Sequence, residues 1–235
     1  MLSFVIPFYN EEAVVEGVVT EVMAVAGPLG QPFEVIAVDD ASTDGTPAAL
    51  ARLRRSYPEV RALRAKERGG QSAALAAGFK ASRGEVVITL DGDGQNDPSA
   101  VPDLLKALEG ADLAAGVRAL RKDTGWKRLT SRIANAYRRR ALDDPFRDVG
   151  CGLKAFRREV LKSIPYFKNM HRYFPLLALW QGFKVVEVEV RHRPRAGGES
   201  KYGTWDRLTA GLADVRGVKW LKRRLIRYPV EEMKP

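Results

Sequence analysis

One cysteine, Cys151, and two histidines, His171 and His192, are present in the 235 residues. A lone cysteine excludes an intrachain disulfide, so a reducing cytosol is the simplest setting. Cys151 reads as a small buried residue rather than a nucleophile. Each histidine reads as structural as readily as catalytic. No apolar run reaches 18 residues, so no segment is expected to span a bilayer, and membrane contact must be peripheral or through a partner. Repeats and low-complexity tracts are absent, which excludes solenoids and disordered tails. No basic leader precedes the apolar start Met1–Pro7, so it reads as a strand and not a signal peptide.

What is present is a chain of single-domain length with 45% hydrophobic and 29% charged residues, enough for an ordinary core. The net charge is +10, with Lys and Arg dense at Arg118–Arg140 and Lys219–Arg227. Such a balance favours anionic partners without choosing among nucleic acid, an anionic membrane and phosphorylated substrates. A nucleic-acid module is disfavoured, because no recognition motif is present and acidic strand ends repel a phosphate backbone.

Strands are expected at Leu2–Pro7, Phe33–Val38, Val60–Arg64, Glu85–Leu90 and Asp112–Val117. Helical patterns lie between them at Glu11–Ala26, Thr46–Ser56, Gln71–Ser82 and Ser99–Leu108. This alternation predicts an α/β fold with a mostly parallel sheet and helices on both faces. The second half is less regular. A helix is expected over Gly125–Ala141, a strand over Cys151–Arg157, a helix over His171–Gln181 and a strand over Lys184–Val190. Trp180 and the leucines around it read as core. Trp205–Arg227 reads as an amphipathic helix interrupted by Gly211 and Gly217.

Ligands of parallel sheets bind beyond the C-terminal strand ends. Those ends carry Pro7–Glu11, Asp39–Gly45, Gly69–Gln71 and Asp91–Asp97. Asp91 and Asp93, at i and i+2 on extended chain, point the same way and suit one hard divalent cation bridging diphosphate oxygens. Asp39 and Asp40 are an acid–base pair or acceptors for a nucleobase and ribose, and ligand binding is favoured. Asp44 sits where a helix cap belongs. Gly69-Gly70 lacks a P-loop lysine and dinucleotide spacing and reads as a tight turn.

In order, Pro7-Phe8-Tyr9-Asn10-Glu11, Val38–Thr46 and Asp91–Pro98 resemble the family 2 glycosyltransferases of the Rossmann-like GT-A fold, over nearly the whole chain. Asp148–Arg157, His192-Arg193 and Gly198–Tyr202 are similar to segments of the dolichyl- and polyprenyl-phosphate branch. The resemblance implies a nucleotide-sugar site of Pro7, Tyr9, Glu11, Asp39, Asp40, Gln71, Asp91, Gly92 and Asp93. It implies Mg²⁺ or Mn²⁺ on Asp91 and Asp93 with Gln95 beside it. It places phosphate-binding roles on Arg118, Arg139, Arg193, Ser200 and Lys201, and catalytic roles on Asp93, Asp148 and Arg118. Gly92 stands where many relatives carry Ala, a change expected to be mild.

A phosphate monoester is already ionised near neutral pH, so it needs positioning and charge screening more than a base. The second half offers arginines and lysines, and Asp148 is its main candidate base. The expected reaction is inverting transfer of a hexosyl group, with GDP-mannose and UDP-glucose as leading donors, to a polyprenyl or dolichyl phosphate. The alternative is a polysaccharide or other glycan acceptor.

The expected domain spans 1–204, with a nucleotide-sugar half at 1–117 and an acceptor half at 118–204. A basic tail follows at 205–235. With Trp205, Trp220 and seven Lys or Arg over Trp205–Arg227, the tail suits an interface. Each basic residue there contributes about 1 kcal/mol near an anionic leaflet. Ending at Pro235, the chain resembles short, peripheral members that act at the cytoplasmic face, alone or with a membrane subunit. A homodimer is plausible on family grounds alone.

Overall fold

The structure, a computed structural model, describes residues 1–118, 136–194 and 204–226, the last without side chains at 204–212. The expected alternation is present. It runs β1 (Leu2–Phe8), α1 (Val15–Ala26), β2 (Phe33–Asp39), α2 (Thr46–Ser56), β3 (Val60–Arg64), α3 (Gln71–Ala81), β4 (Val86–Thr89), α4 (Val101–Ala107) and β5 (Leu113–Arg118). Then come β6 (Lys154–Arg157), α5 (Arg158–Ser163), α6 (Phe174–Trp180), β7 (Val185–Val190) and α7 (Thr204–Lys222).

Four differences have physical causes. Helix α1 starts four residues late, because the Glu11 carbonyl first accepts the amides of Val14 and Val15 in a turn. The expected helix 171–181 is broken, with a 3₁₀ turn at Met170–Arg172 and Pro175 in the first turn of α6. Helix α5 was not expected, since six residues are too few for an apolar period to show. Backbone helix α7 runs through Gly211 and Gly217 without the expected interruption. Of the expected helix over Gly125–Ala141, residues 136–141 are described, and they are helical.

The seven strands form one sheet in the order β3-β2-β1-β4-β6-β5-β7. Only β6 runs antiparallel to its neighbours. Side chains alternate across the sheet. Leu2, Phe4, Ile6 and Phe8 join the buried apolar residues of α1, α2 and α4 on one face. Val5 turns to the other face and packs on Gly78 of α3. That second face also carries the Phe79, Phe156 and Phe174 rings, 5.4–6.1 Å apart. The apolar β-branched strands are thus buried on both sides, as a parallel sheet requires.

Two features of this topology make the site. Strands β2 and β3 lie on one side of β1 and β4 on the other, so the chain reverses its order between β1 and β4. Ligands of open α/β sheets enter at such a switch point. Because β6 is antiparallel, its N-terminal end lies at the mouth, and residues 148–154 are delivered to the carboxyl ends of β4 and β5.

The chain forms two compact units, Met1–Lys122 with Phe146–Glu199, and Asp123–Pro145 with Ser200–Pro235. The first holds the whole sheet. In the second, Val215 and Val218 of α7 are buried while Trp220 is 57% exposed. There Arg138 and Asp144 form a buried ion pair at 3.0 Å, and Lys222 pairs with Asp143 at 2.8 Å.

Candidate functional site

The loops after β1 and β2 are zipped together. Ser42 Oγ accepts the Asn10 amide at 3.0 Å, Thr46 Oγ1 accepts the Glu11 amide at 2.9 Å, and Asn10 Oδ1 accepts the Thr43 amide at 2.9 Å. Asn10 and Ala41 hold left-handed φ values of 51° and 59°. Such values cost a side-chain-bearing residue and persist only where neighbours over-determine them. Asp44 accepts the Thr46 amide at 3.0 Å, so it closes the start of α2 as expected.

Asp39 and Asp40 are both buried. Asp39 accepts the Ser42 amide at 3.0 Å and lies 3.2 Å from Arg64 Nε. Asp40 accepts the amides of Gly69 and Gly70, each at 2.8 Å. Those glycine donors, read as a turn, are thereby engaged by the carboxylate. Gly70 takes φ 83°, which lets the chain double back onto Asp40 before α3. Tyr9 lies beneath Arg68, whose guanidinium carbon is 4.0 Å from the ring centre. Pro7, Tyr9, Glu11, Asp39 and Asp40 therefore share one rim of the mouth.

Asp91 and Asp93 form the other rim. The β1–β4 register pairs Val5 with Thr89, so two residues on, Pro7 and Asp91 run side by side. A methyl group at Gly92 would lie 2.4 Å from the Pro7 carbonyl oxygen, so glycine is the residue that fits here. The Gly-for-Ala difference is therefore fitted to the close approach of β1 in this chain. Gln71 Nε2 donates to Asp91 Oδ1 at 2.7 Å, and Asn96 Oδ1 accepts the Asp91 amide at 2.7 Å. Asp93 Oδ1 accepts the Gln95 amide at 3.1 Å. Burial first, and then the charge of Asp93, push the Asp91 carboxyl up to about 6.

Two carboxylates of like charge on one turn are suited to a shared cation. Among the described residues no cluster of three or more His, Cys, Asp or Glu could hold a metal. Two carboxylates with the remaining positions left to diphosphate and water match the habit of Mg²⁺ sites. The donor set therefore fits a substrate-bridging divalent cation and does not form a closed protein cage.

The segment 148–154 walls Asp91 from behind. A methyl group at Gly152 would lie 2.3 Å from the Asp91 carboxylate, and Thr89 Oγ1 donates to the Gly152 carbonyl at 2.7 Å. Asp148 grips Arg118 through a bidentate pair at 2.6 and 2.7 Å and also accepts the Gly150 amide at 3.0 Å. Burial alone would raise the Asp148 carboxyl, but the Arg118 hydrogen bonds and charge hold it below the usual range. Arg193 lies apart from Arg118, paired with Glu21 at 2.7 Å and Asp97 at 3.0 Å. Arg139 is exposed in the second unit, while Ser200 and Lys201 lie outside the described residues.

Sequence reasoning missed Lys154. Only 2% exposed, it donates its Nζ to the Cys151 carbonyl, and its charge acts on Asp91 and Asp148. Its signal was a lysine inside the apolar run Leu153–Phe156. His171 was left open between two roles. Its Nδ1 lies 2.8 Å from Ser72 Oγ, and burial followed by the charges of Arg172 and Lys154 pushes it down to about 3. It is neutral at physiological pH.

Residues 3–164 match the family described as glycosyl transferase family 2. The chain belongs to that family. Curated relatives include undecaprenyl-phosphate 4-deoxy-4-formamido-L-arabinose transferases. The protein of Pseudomonas aeruginosa strain LESB58 is 38% identical over 86% of this chain and 60% of its own length. That of Pectobacterium carotovorum strain PC1 is 37% identical, over 86% of this chain and 62% of its own. The chain thus spans about 60% of the length of these family members.

Among solved structures, mannosyltransferase PcManGT from Pyrobaculum calidifontis, in complex with GDP-mannose and Mn²⁺, superposes with a TM-score of 0.67. It is 20% identical over 97% of this chain and 65% of that one. Glucosyl-3-phosphoglycerate synthase from Mycobacterium tuberculosis, with Mn²⁺, UDP-glucose and glycerol 3-phosphate, gives a TM-score of 0.69. It is 22% identical over 97% of this chain and 81% of that one. These neighbours show the GT-A fold. The expected family, branch resemblance and fold are all met.

Proposed function

We propose that this chain transfers a sugar from a nucleotide sugar to a polyprenyl phosphate, with a divalent cation shared between Asp91, Asp93 and the donor diphosphate. The observation that carries the reading is the state of Asp148. The carboxylate expected to serve as base is held ionised by three donors of Arg118, its amide included, and by the Gly150 amide, and a carboxylate so stabilised is a poor proton acceptor. The nucleophile must then arrive already ionised, as a phosphate monoester does.

The rim of Pro7, Tyr9, Glu11, Asp39 and Asp40 binds the base and ribose. Asp91 and Asp93 face the diphosphate, where a bound cation supplies Lewis-acid stabilisation of the leaving group. Gln71 and Gly152 fix the Asp91 carboxylate. Arg118, oriented by Asp148, screens the approaching phosphate. An oxygen of the lipid phosphate forms the new bond to the anomeric carbon as the bond to the nucleoside diphosphate breaks, and the electron pair leaves with the diphosphate. Attack opposite the leaving group inverts the anomeric centre.

The relatives support an undecaprenyl-type acceptor, since their names specify undecaprenyl phosphate. The nucleotide sugars and Mn²⁺ of the structural neighbours support the donor class and the metal. Membrane contact is assigned to α7. Exposed Trp220 lies under Arg224 at 4.5 Å, and Ile226 is 83% exposed. No helix among the described residues is long and apolar enough to cross a membrane. Under the same proposal the acceptor phosphate lies at the cytoplasmic leaflet.

The test is transfer in detergent from radiolabelled nucleotide sugars, including GDP-mannose, UDP-glucose and a nucleotide-activated 4-deoxy-4-formamido-L-arabinose. Short-chain polyprenyl phosphate is compared with the matching free polyprenol and with soluble glycans. Label in the phosphate lipid alone, abolished by EDTA, is expected. Equal transfer to the free alcohol, or transfer to glycan only, would overturn the acceptor assignment.

A further inference from the structure

Arg193 was expected to hold a phosphate, but its surroundings argue against that use. Its Nη1 donates to both carboxylate oxygens of Glu21 on α1, at 2.9 and 2.7 Å. Its Nη2 lies 3.0 Å from Asp97 Oδ1. One guanidinium between two carboxylates carries no surplus positive charge for a third anion. Its main chain is occupied too. The Arg193 amide donates to the Gln95 carbonyl at 2.9 Å, and Gln95 Nε2 returns to the Arg193 carbonyl at 3.3 Å. The neighbouring His192 pairs with Asn96 in an antiparallel bridge. Asn96 in turn holds the Asp91 amide.

These contacts form one chain of support, from α1 through Arg193 to residues 95–97 and on to Asp91. The acidic turn needs it. It contains Gly92 and Gly94, the latter at φ 74°, and it must keep two mutually repelling carboxylates aimed at one point. We propose that Arg193, braced by Glu21, is the positioning residue that holds the Asp91–Asp97 turn in its ligand-bearing shape, and that it does not bind phosphate. Glu21, a residue outside every recognised motif, thereby becomes part of the site's support. Because the Arg193 and Glu21 side chains are 41% and 48% exposed, the pair contributes little to global stability. Its effect is local.

The metal readout of the test rests on the function proposed above, whereas the exchange readout does not. Hydrogen exchange of the Gly92–Asn96 amides is measured in the metal-free protein, and affinity for Mn²⁺ alone is read from the free-ion resonance signal. The proteins compared are wild type, Arg193→Gln, Arg193→Lys, Glu21→Gln and the Glu21→Gln/Arg193→Gln double variant. Arg193→Gln is expected to speed exchange and to weaken Mn²⁺ binding about tenfold, at the scale of outer-shell substitutions, with thermal unfolding little changed. Glu21→Gln shifts both in the same direction by less, the double variant is no worse than Arg193→Gln, and Arg193→Lys restores part of the loss.

If Glu21→Gln instead leaves exchange unchanged and tightens binding of GDP or UDP, Arg193 is a phosphate ligand that Glu21 restrains, and the proposal is overturned. Unchanged exchange in every variant overturns it as well. Should Arg193→Gln not fold, Glu21→Gln and Arg193→Lys decide alone. A wild type that binds no Mn²⁺ defeats the metal reading, and exchange still decides the strut.

Discussion

Two acidic strand ends face each other across the mouth and differ in what surrounds them. At the end of β2, Asp40 gives both oxygens to the backbone amides of Gly69 and Gly70. At the end of β4, Asp91 takes one side-chain donor from Gln71 and stands against Asp93, with its proton affinity raised. The first carboxylate is satisfied by the fold and shapes the loop that reaches α3. The second keeps a raised proton affinity, because burial and the Asp93 charge outweigh the charges of Lys154 and Arg118. Similar residues at equivalent strand ends therefore perform different work. One rim is a rigid frame, and the other is a site awaiting a cation.

The contrast is broken most severely at β4. Asp93→Asn removes one of the two charges that would share the cation. Several kcal/mol of leaving-group stabilisation are at stake, so transfer is expected to fall by about 10²–10³-fold with the nucleotide rim intact. Transfer assays beside binding of the nucleoside monophosphate test this, and an equal loss of both would mean general damage. Gly152→Ala acts on the same carboxylate without touching its chemistry. Its methyl group collides with Asp91, so metal affinity is expected to drop by about 10–100-fold, as for other residues that support a metal ligand.

Asp40→Asn addresses the other rim. It weakens one of two charge-assisted bonds to the Gly69–Gly70 turn. The expected cost is about 2 kcal/mol of unfolding free energy by denaturant titration, with affinity for Mn²⁺ unchanged. A metal-affinity loss as large as that of Gly152→Ala would show that the two rims are not separable.

The legibility of the two rims in the sequence follows the same divide. Strand ends β1, β2 and β4 were readable, because apolar runs stop abruptly at Pro7, Asp39 and Asp91 and the parallel-sheet rule then locates the mouth. The Asp44 cap was readable from local chemistry. Partnership across distance was not. Nothing in the spacing tells that Asp40 turns to Gly69 and Gly70 rather than outward, or that Asp148 grips Arg118. Lys154 and Glu21 were passed over because their meaning depends on an antiparallel strand and on one face of α1. The packing constraint on Gly92 was not readable, because it comes from the Pro7 carbonyl on a neighbouring strand. Local signals travel along the chain, and charge pairing across the sheet exists only once the strands are ordered.

The smallest expected effect concerns His171, which lies on the frame side of the comparison through its bond to Ser72 of α3. The unfolded imidazole has its ordinary value of 6.5, and the folded one is pushed down to about 3. Between those values the unfolded chain holds a proton that the folded chain does not. Stability from this group is therefore complete above pH 6.5 and is lost as pH falls toward 3. By pH 5.5 the loss should reach about 1 kcal/mol. His171→Asn keeps a polar atom near Nδ1 and cannot titrate. Urea titrations at pH 7.5 and 5.5 should show wild type losing that much more than the variant. An equal loss in both would assign the acid sensitivity to groups other than His171, and not to Asp91, whose raised proton affinity makes the folded state gain stability as pH falls through about 6.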